Sequence, residues 1–179
     1  GLIKRLIDVQ SFDKVAAESV KDNEFHKEVS ASEYAAADEQ GSATHYLDIV
    51  ILSALEVDVD FNVNVLVGSD GIIRGAIGGH PDTAADSALS IIVCPLLRGR
   101  IPCVVDKVTT LITPGATVDV VVTEYGIAVN PRRPEVAERL RAAGLKIVDL
   151  NDLKERAEKS IGQPAELPVG EKVVGVVMY

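Results

Sequence analysis

The chain has 179 residues, 47% of them hydrophobic, with no low-complexity run, which suits one compact globular domain with a substantial core. A net charge of −9, from 27 acidic against 18 basic residues, leaves no basic stripe to displace counterions from phosphates, so nucleic-acid binding is excluded. The longest apolar runs, such as LSIIVCPLL, fall far short of the roughly 20 residues that a membrane helix needs, and no signal peptide is visible.

In chain order, SFDKVAAESVKDN (11–23) predicts a short helix, with Ser11 as cap and Val15, Ala16, Ser19 and Val20 on one face. HKEVSASEY reads as a strand and YAAADEQGSATH as a polar loop. LDIVILSALEV (47–57) is a nearly continuous β-branched and leucine run, the pattern of a central strand covered on both faces, with Ile49, Val50 and Ile51 buried. FNVNVLV alternates and GSDG (68–71) is a turn signal. LSIIVCPL, IPCVVDKVTTLI and VDVVVTEYGIAV follow as strands, separated by RGR and TPGA turns. PEVAERLRAA is a helix, with Pro134 in its first turn and Gly144 just past its end. NDLKERAEKSI is a second helix, closed by Gly162 and Pro164, and EKVVGVVMY is a last strand. The class is therefore α/β or α+β, with a mixed, largely parallel sheet flanked by helices. GLIKRLIDVQ reads like the middle of a protein, so residues 1–179 are expected to form a single domain cut from a longer chain. Cys94 and Cys103, in apolar contexts without CxxC spacing, are expected to be reduced core residues of a cytosolic protein.

The chemistry concentrates around RGAIGGHPDTA (74–84). Clustered glycines mark a tight turn, or backbone that a ligand's phosphate or a developing oxyanion approaches closely. Arg74 is the only lysine or arginine between Lys27 and Arg98, while seven acids lie between residues 41 and 90. It can fork onto a substrate carboxylate or pair with one of those acids. Asn62 and Asn64 share one strand face, where amides orient a ligand or staple a loop. Glu56 ends a strand, where a carboxylate serves as nucleophile or base, or pairs with a backbone group or an arginine. His80 has no ligand spacing with His26 or His45, so no metal site is expected. No GxSxG, Walker or HExxH motif is present. Spacing and composition alone name no reaction.

Four runs add a family resemblance: LIDVQSFD, LDIVILSALEVDVDFNVNVLVGSDGIIRGAIGGHPDTA, LSIIVCPLLRGRIPCVVDKVTTLITPG and VDVVVTEYGIAVNPRRPE. In unbroken order over essentially the whole chain, they resemble the C-terminal part of the citrate lyase α subunit family, within the CoA-transferase superfamily. The resemblance implies a citrate:acetyl-carrier-protein transferase, which exchanges the acetyl group of a carrier thioester for citrate and releases acetate. A β subunit then cleaves citryl carrier to oxaloacetate and acetyl carrier. The γ acyl-carrier subunit bears a phosphoribosyl-dephospho-CoA arm, no cofactor is bound covalently to this chain, and the oligomeric complex works in the bacterial cytoplasm. The full subunit has two related α/β halves with the site between them, so this chain alone is expected to be inactive.

The sequence departs from the family at Ala36, where SAxxYAN usually has asparagine, and it lacks the Glu-Asn-Gly string that carries a nucleophile in wider relatives. Glu33 lies nearby, but the match is too loose to transfer that role. The absence agrees with transfer inside a ternary complex, without an acyl-enzyme, resting on attack geometry and oxyanion stabilisation. The candidate set is Glu56, Gly78 and Gly79 for chemistry, and Asn62, Asn64, Arg74, Gly75, His80 and Asp82 for citrate and thioester binding. Arg98 and Arg100 are further candidates for citrate's carboxylates. Gly79→Val is expected to cut transfer more than tenfold, with Gly68→Ala as a control that leaves it normal. Two other readings stand beside this one: a non-catalytic docking scaffold for the carrier and β subunits, and another acyl-CoA transferase or hydrolase of the same fold.

Overall fold

The computed structural model describes residues 3–36, 41–163, 170–173 and 175–176. Strand β1 (Leu6–Asp8) pairs in parallel with β2 (His26–Glu28), and helix α1 (Lys14–Asp22) connects them. The α1 cap is Asp13 rather than Ser11: its carboxylate accepts from the Val15 and Ala16 amides, while the Ser11 hydroxyl donates to Asp8. The strand expected over HKEVSASEY stops at Glu28. Ser30 and Glu33 then form a capping box that starts α2 (Ala31–Tyr34), reciprocal bonding that favours helix over strand. Residues 37–40 of the expected polar loop lie outside the described residues.

LDIVILSALEV divides. Strand β3 (Ile49–Ser53) ends before Ala54, and β4 (Glu56–Asp58) joins a different sheet. Strand β5 (Val63–Asn64) returns antiparallel to β4, through a turn where Asp58 accepts from the Asp60 and Asn62 amides. Helix α3 (His80–Asp86) leads to β6 (Leu89–Val93). The RGR turn, with Gly99 at φ +64°, joins β7 (Leu97–Arg98) to β8 (Ile101–Pro102), and β9 (Val104–Val105) follows. VDVVVTEYGIAV is a hairpin of β10 (Val120–Thr123) and β11 (Gly126–Val129), not one strand. Helix α4 (Pro134–Ala142) has Pro134 in its first turn and Gly144 beyond it at φ +78°. Helix α5 (Leu150–Ile161) is capped by Asp149 and followed by Gly162 at φ +81°. Residues 171–173, 175 and 176 are not strand, and Pro164 and the rest of EKVVGVVMY lie outside the described residues.

The main sheet runs β11–β10–β6–β3, with β3, β6 and β10 parallel and β11 antiparallel; a second runs β5–β4–β9. This is the expected mixed α/β architecture. The position expected for β3 is wrong, however. It is an edge strand: Val50 is buried, but Ile49 is 53% and Ile51 69% exposed. Its hydrophobic run records a face left bare in this chain rather than one covered twice. The core lies between the sheets, where Val57, Val63, Ile92, Leu96 and Val104 meet Leu153 and Ala157 of α5. Cys94 and Cys103 are free and buried within it. Burial pushes the Cys94 thiol up to about 12, because a thiolate loses its hydration there.

Candidate functional site

Behind the glycine loop lies a buried polar scaffold. Glu56, 1% exposed, accepts from Asn64 Nδ2 at 2.8 Å, the Thr109 amide at 3.0 Å, the Thr109 hydroxyl at 3.3 Å and the Ser69 hydroxyl. Asn64 also donates to Val67 O and accepts from the Leu66 and Val67 amides. Asn62 donates to Asp58 and accepts from the Gly115 amide. Of the readings open for these three residues, the structure favours stapling. Breaking such an anchored carboxylate away from its donors is costly, so these bonds fix Glu56 in place. Its effect is to pin the 64–69 segment through Asn64 and Ser69.

Arg74 lies beyond that segment and is bonded back to it. The residue's amide donates to Leu66 O at 2.9 Å, and Nη1 and Nη2 each donate to one oxygen of Asp70 at 2.5 Å. The guanidinium holds the Asp70 carboxyl at about 2, below the usual carboxylate range. Two glycines make room for the arrangement. A Cβ on Gly68 would sit 2.9 Å from Arg74 Nη1, and one on Gly75 would sit 2.1 Å from Val65 O. Gly68→Ala is therefore no neutral control, since it presses on the guanidinium.

Arg74, Gly75 and His80 line one cleft of about 330 Å3, together with Arg98 and Ser53. His80 Nε2 lies 3.0 Å from Ser53 O, which can only accept, so this nitrogen carries the proton and Nδ1 accepts from the Thr113 hydroxyl at 2.6 Å. Desolvation lowers the His80 pKa from 6.5, partly offset by the bond to Ser53, so the ring is neutral near pH 7. Arg98 donates to Ala54 O at 3.1 Å and lies against the Cys103 thiol, but forms no ion pair among the described residues. The cleft thus holds one cation already engaged by an acid and one that is not. Arg100 does not line it.

Gly78, Gly79 and Asp82 line a second cleft of about 460 Å3, with Tyr34, Ile7 and Phe12. Gly78 has φ +51°, a conformation that L side chains rarely adopt. Gly79 is at an ordinary φ of −89°, but a Cβ there would be 3.2 Å from that of Ala35. The Gly78 and Gly79 amides hydrogen-bond no other described residue, whereas the Gly79 carbonyl accepts from Thr83. Among the described residues, no group of three or more His, Cys, Asp or Glu is placed to hold a metal ion, and no helix is long and apolar enough to cross a membrane.

The family model for citrate lyase, alpha subunit, matches residues 1–179. The chain belongs to the citrate lyase alpha subunit family. It is 58% identical over 179 residues to the citrate lyase alpha chain of Escherichia coli (strain K12), and 52% identical to that of Klebsiella pneumoniae. All of this chain is covered in both matches, but only 35% of each relative, so it spans about a third of their length. A crystal structure of the alpha subunit of citrate lyase from Streptococcus mutans, in complex with citrate, superposes with a TM-score of 0.95 at 49% identity, covering 100% of this chain and 35% of that one. A point mutant of RipA, at 20% identity, a TM-score of 0.53 and coverage of 83% of this chain and 35% of that one, shares the fold alone.

The structure therefore groups Arg74, Gly75 and His80, places Gly78, Gly79 and Asp82 next door, and sets Glu56, Asn62 and Asn64 behind them as scaffold. Sequence reasoning did not find Asp70, Thr113 or Tyr34. For Asp70 a signal existed, since it stands four residues from the isolated Arg74 across a turn motif. For Thr113 and Tyr34 none did.

Proposed function

We propose that this chain is the C-terminal, CoA-transferase-like domain of a longer two-domain alpha subunit that transfers a carrier thioester from acetate to citrate. The observation that carries the reading is Arg98, which forms no ion pair among the described residues, in one cleft with Arg74 and neutral His80, in a family with a citrate-bound member. Citrate's carboxylates occupy the Arg98 cleft, and the phosphoribosyl-dephospho-CoA arm of the γ carrier, or a CoA thioester, runs along the Gly78–Gly79 cleft. A citrate carboxylate oxygen attacks the acetyl carbonyl, the C–S bond breaks, and a thiolate leaves a citryl-acetyl anhydride. The thiolate then attacks the citryl carbonyl and expels acetate. No protein carboxylate forms an acyl bond in this sequence, in keeping with the anchoring of Glu56. The Gly78 and Gly79 amides stabilise the oxyanions; one well-placed donor of this type contributes about 3 kcal/mol. The citryl thioester passes to the β subunit for cleavage, in the bacterial cytoplasm.

The test is Arg98→Gln in a full-length subunit assembled with its carrier. Loss of a charge-assisted contact, worth roughly 1.5–3 kcal/mol, raises KM for citrate more than tenfold and leaves KM for acetyl carrier within twofold. If citrate KM is unmoved by Arg98→Gln and by Arg74→Gln, the cleft does not hold citrate. Retained assembly with the β and carrier subunits would then favour the docking scaffold.

A further inference from the structure

Asp70 pairs with Arg74, which lines the candidate citrate cleft, and the proposed reaction gives that acid no task. Its carboxylate grips Arg74 end-on, one oxygen to Nη1 and the other to Nη2, both at 2.5 Å. That geometry occupies one edge of the guanidinium; the second edge, formed by Nε and the remaining Nη2 hydrogen, bonds to no described residue. A guanidinium has five N–H donors in a rigid plane, so a carboxylate fixed on one edge sets the direction of the other. Asp70 is itself held from two sides. Its Oδ1 accepts from the Ile72 amide at 3.2 Å, and its neighbour Ser69 is tied to the buried Glu56. Gly68 leaves space for Nη1, and the Arg74 backbone is bonded to Leu66. The pair is exposed and local in sequence; Asp70 and Gly68 meet the guanidinium directly, while the Ser69–Glu56 and Arg74–Leu66 bonds hold the backbone on either side of it.

We infer that Asp70 is a positioning residue, which orients the free edge of Arg74 to receive a carboxylate of the substrate in the cleft shared with Arg98 and His80. The inference rests on the reading of that cleft as the citrate site. It also divides labour between the arginines. Arg98 supplies the uncompensated charge, whereas the Arg74–Asp70 pair, neutral overall, supplies direction. A carboxylate held by a neutralised arginine keeps more of its nucleophilicity than one held by a bare cation, which suits a reacting group that must attack a thioester.

The experiment compares Asp70→Asn, Arg74→Gln and the double variant in a full-length subunit with its carrier, by steady-state kinetics, citrate calorimetry and thermal unfolding. The Asp70→Asn side chain keeps an acceptor for the Ile72 amide, so the turn persists, but it cannot grip both Nη groups ionically. The expected result is a citrate KM raised about tenfold by Asp70→Asn, which corresponds to about 1.4 kcal/mol, with kcat and acetyl-carrier KM within twofold. The double variant is expected to be no worse than Arg74→Gln alone, because Asp70 acts through Arg74. A lowered citrate KM would show that Asp70 competes with substrate for Arg74, and an unchanged one that the pair only staples the turn. Either overturns the inference, as would additive effects in the double variant. Failure of the cleft reading is separate: citrate binding would then be insensitive to Arg98→Gln as well.

Discussion

His80 shows how much of a residue's chemistry its neighbours decide. The sequence offers a lone histidine after two glycines; the structure ties both its nitrogens, one to Thr113 and one to Ser53 O. With desolvation lowering its pKa, the native ring stays neutral while the unfolded chain takes up a proton as pH falls through about 6.5. The unfolded state then binds more protons, so this contribution to stability is intact above pH 6.5 and lost between there and the lower native pKa. His80→Gln, which keeps one donor and one acceptor, is expected to show a smaller fall in Tm between pH 7 and pH 5 than the unaltered protein. An equal fall in both would mean that His80 titrates normally. Glu56 and the two asparagines were legible only as polar groups of special placement. Which of them faces a ligand depends on Ser69, Thr109 and Gly115, and the last two lie 53 residues from their partners, beyond any local pattern.

Elements with local causes were legible, and those with distant causes were not. Helices α4 and α5 sit where Pro134, Gly144 and Gly162 put them, because caps and left-handed glycines act within a turn. The capping box of α2 is equally local, a serine followed three residues later by a glutamate, and lies within the run read as a strand. The break at Ala54 and Leu55 is a different matter. A run of apolar residues carries no mark of the point at which it changes sheets. The glycine loop combines both cases. Gly78 needs its backbone freedom locally, whereas Gly75 is required by Val65, ten residues away, whose carbonyl lies where a Cβ would be. Gly75→Ala must therefore move backbone, at a cost of roughly 1–3 kcal/mol by the usual scale of overpacking. Gly78→Ala meets open space and only the αL penalty, about 1–2 kcal/mol at most. Gly75→Ala is expected to give the lower Tm of the two; the reverse order would mean that the loop is not held against Val65.

At the scale of the whole molecule, the exposed face of the main sheet is the largest departure from the sequence expectation. Parallel register sets Ile49 beside Leu89, Ile51 beside Ile91 and Ser53 beside Val93, on one side of β3 and β6. Ile49, Ile51 and Val93 are 53%, 69% and 44% exposed, and Tyr46 nearby is 78% exposed. The opposite face, with Val50, Ser90 and Ile92, is buried. Contiguous apolar surface of this kind marks an interface. The relatives are almost three times as long as this chain, so the remainder of such a subunit is the cover with enough length to act. A cover there would bury the second face of β3, but the strand would still stand at the edge of the described sheet rather than at its centre. In a full-length subunit, a thiol introduced by Ile51→Cys is expected to resist maleimide under native conditions and to react once unfolded. Ile51→Lys in the same protein is expected to lower stability by about 1.5–3 kcal/mol, the scale for a buried isoleucine side chain. In the 179-residue chain by itself, where this side chain already meets water, the same lysine is expected to cost under about 0.5 kcal/mol. Rapid labelling of the introduced thiol in the folded full-length protein would show that the face stays open there, and that the apolar run on β3 is answered by some surface other than the rest of the subunit.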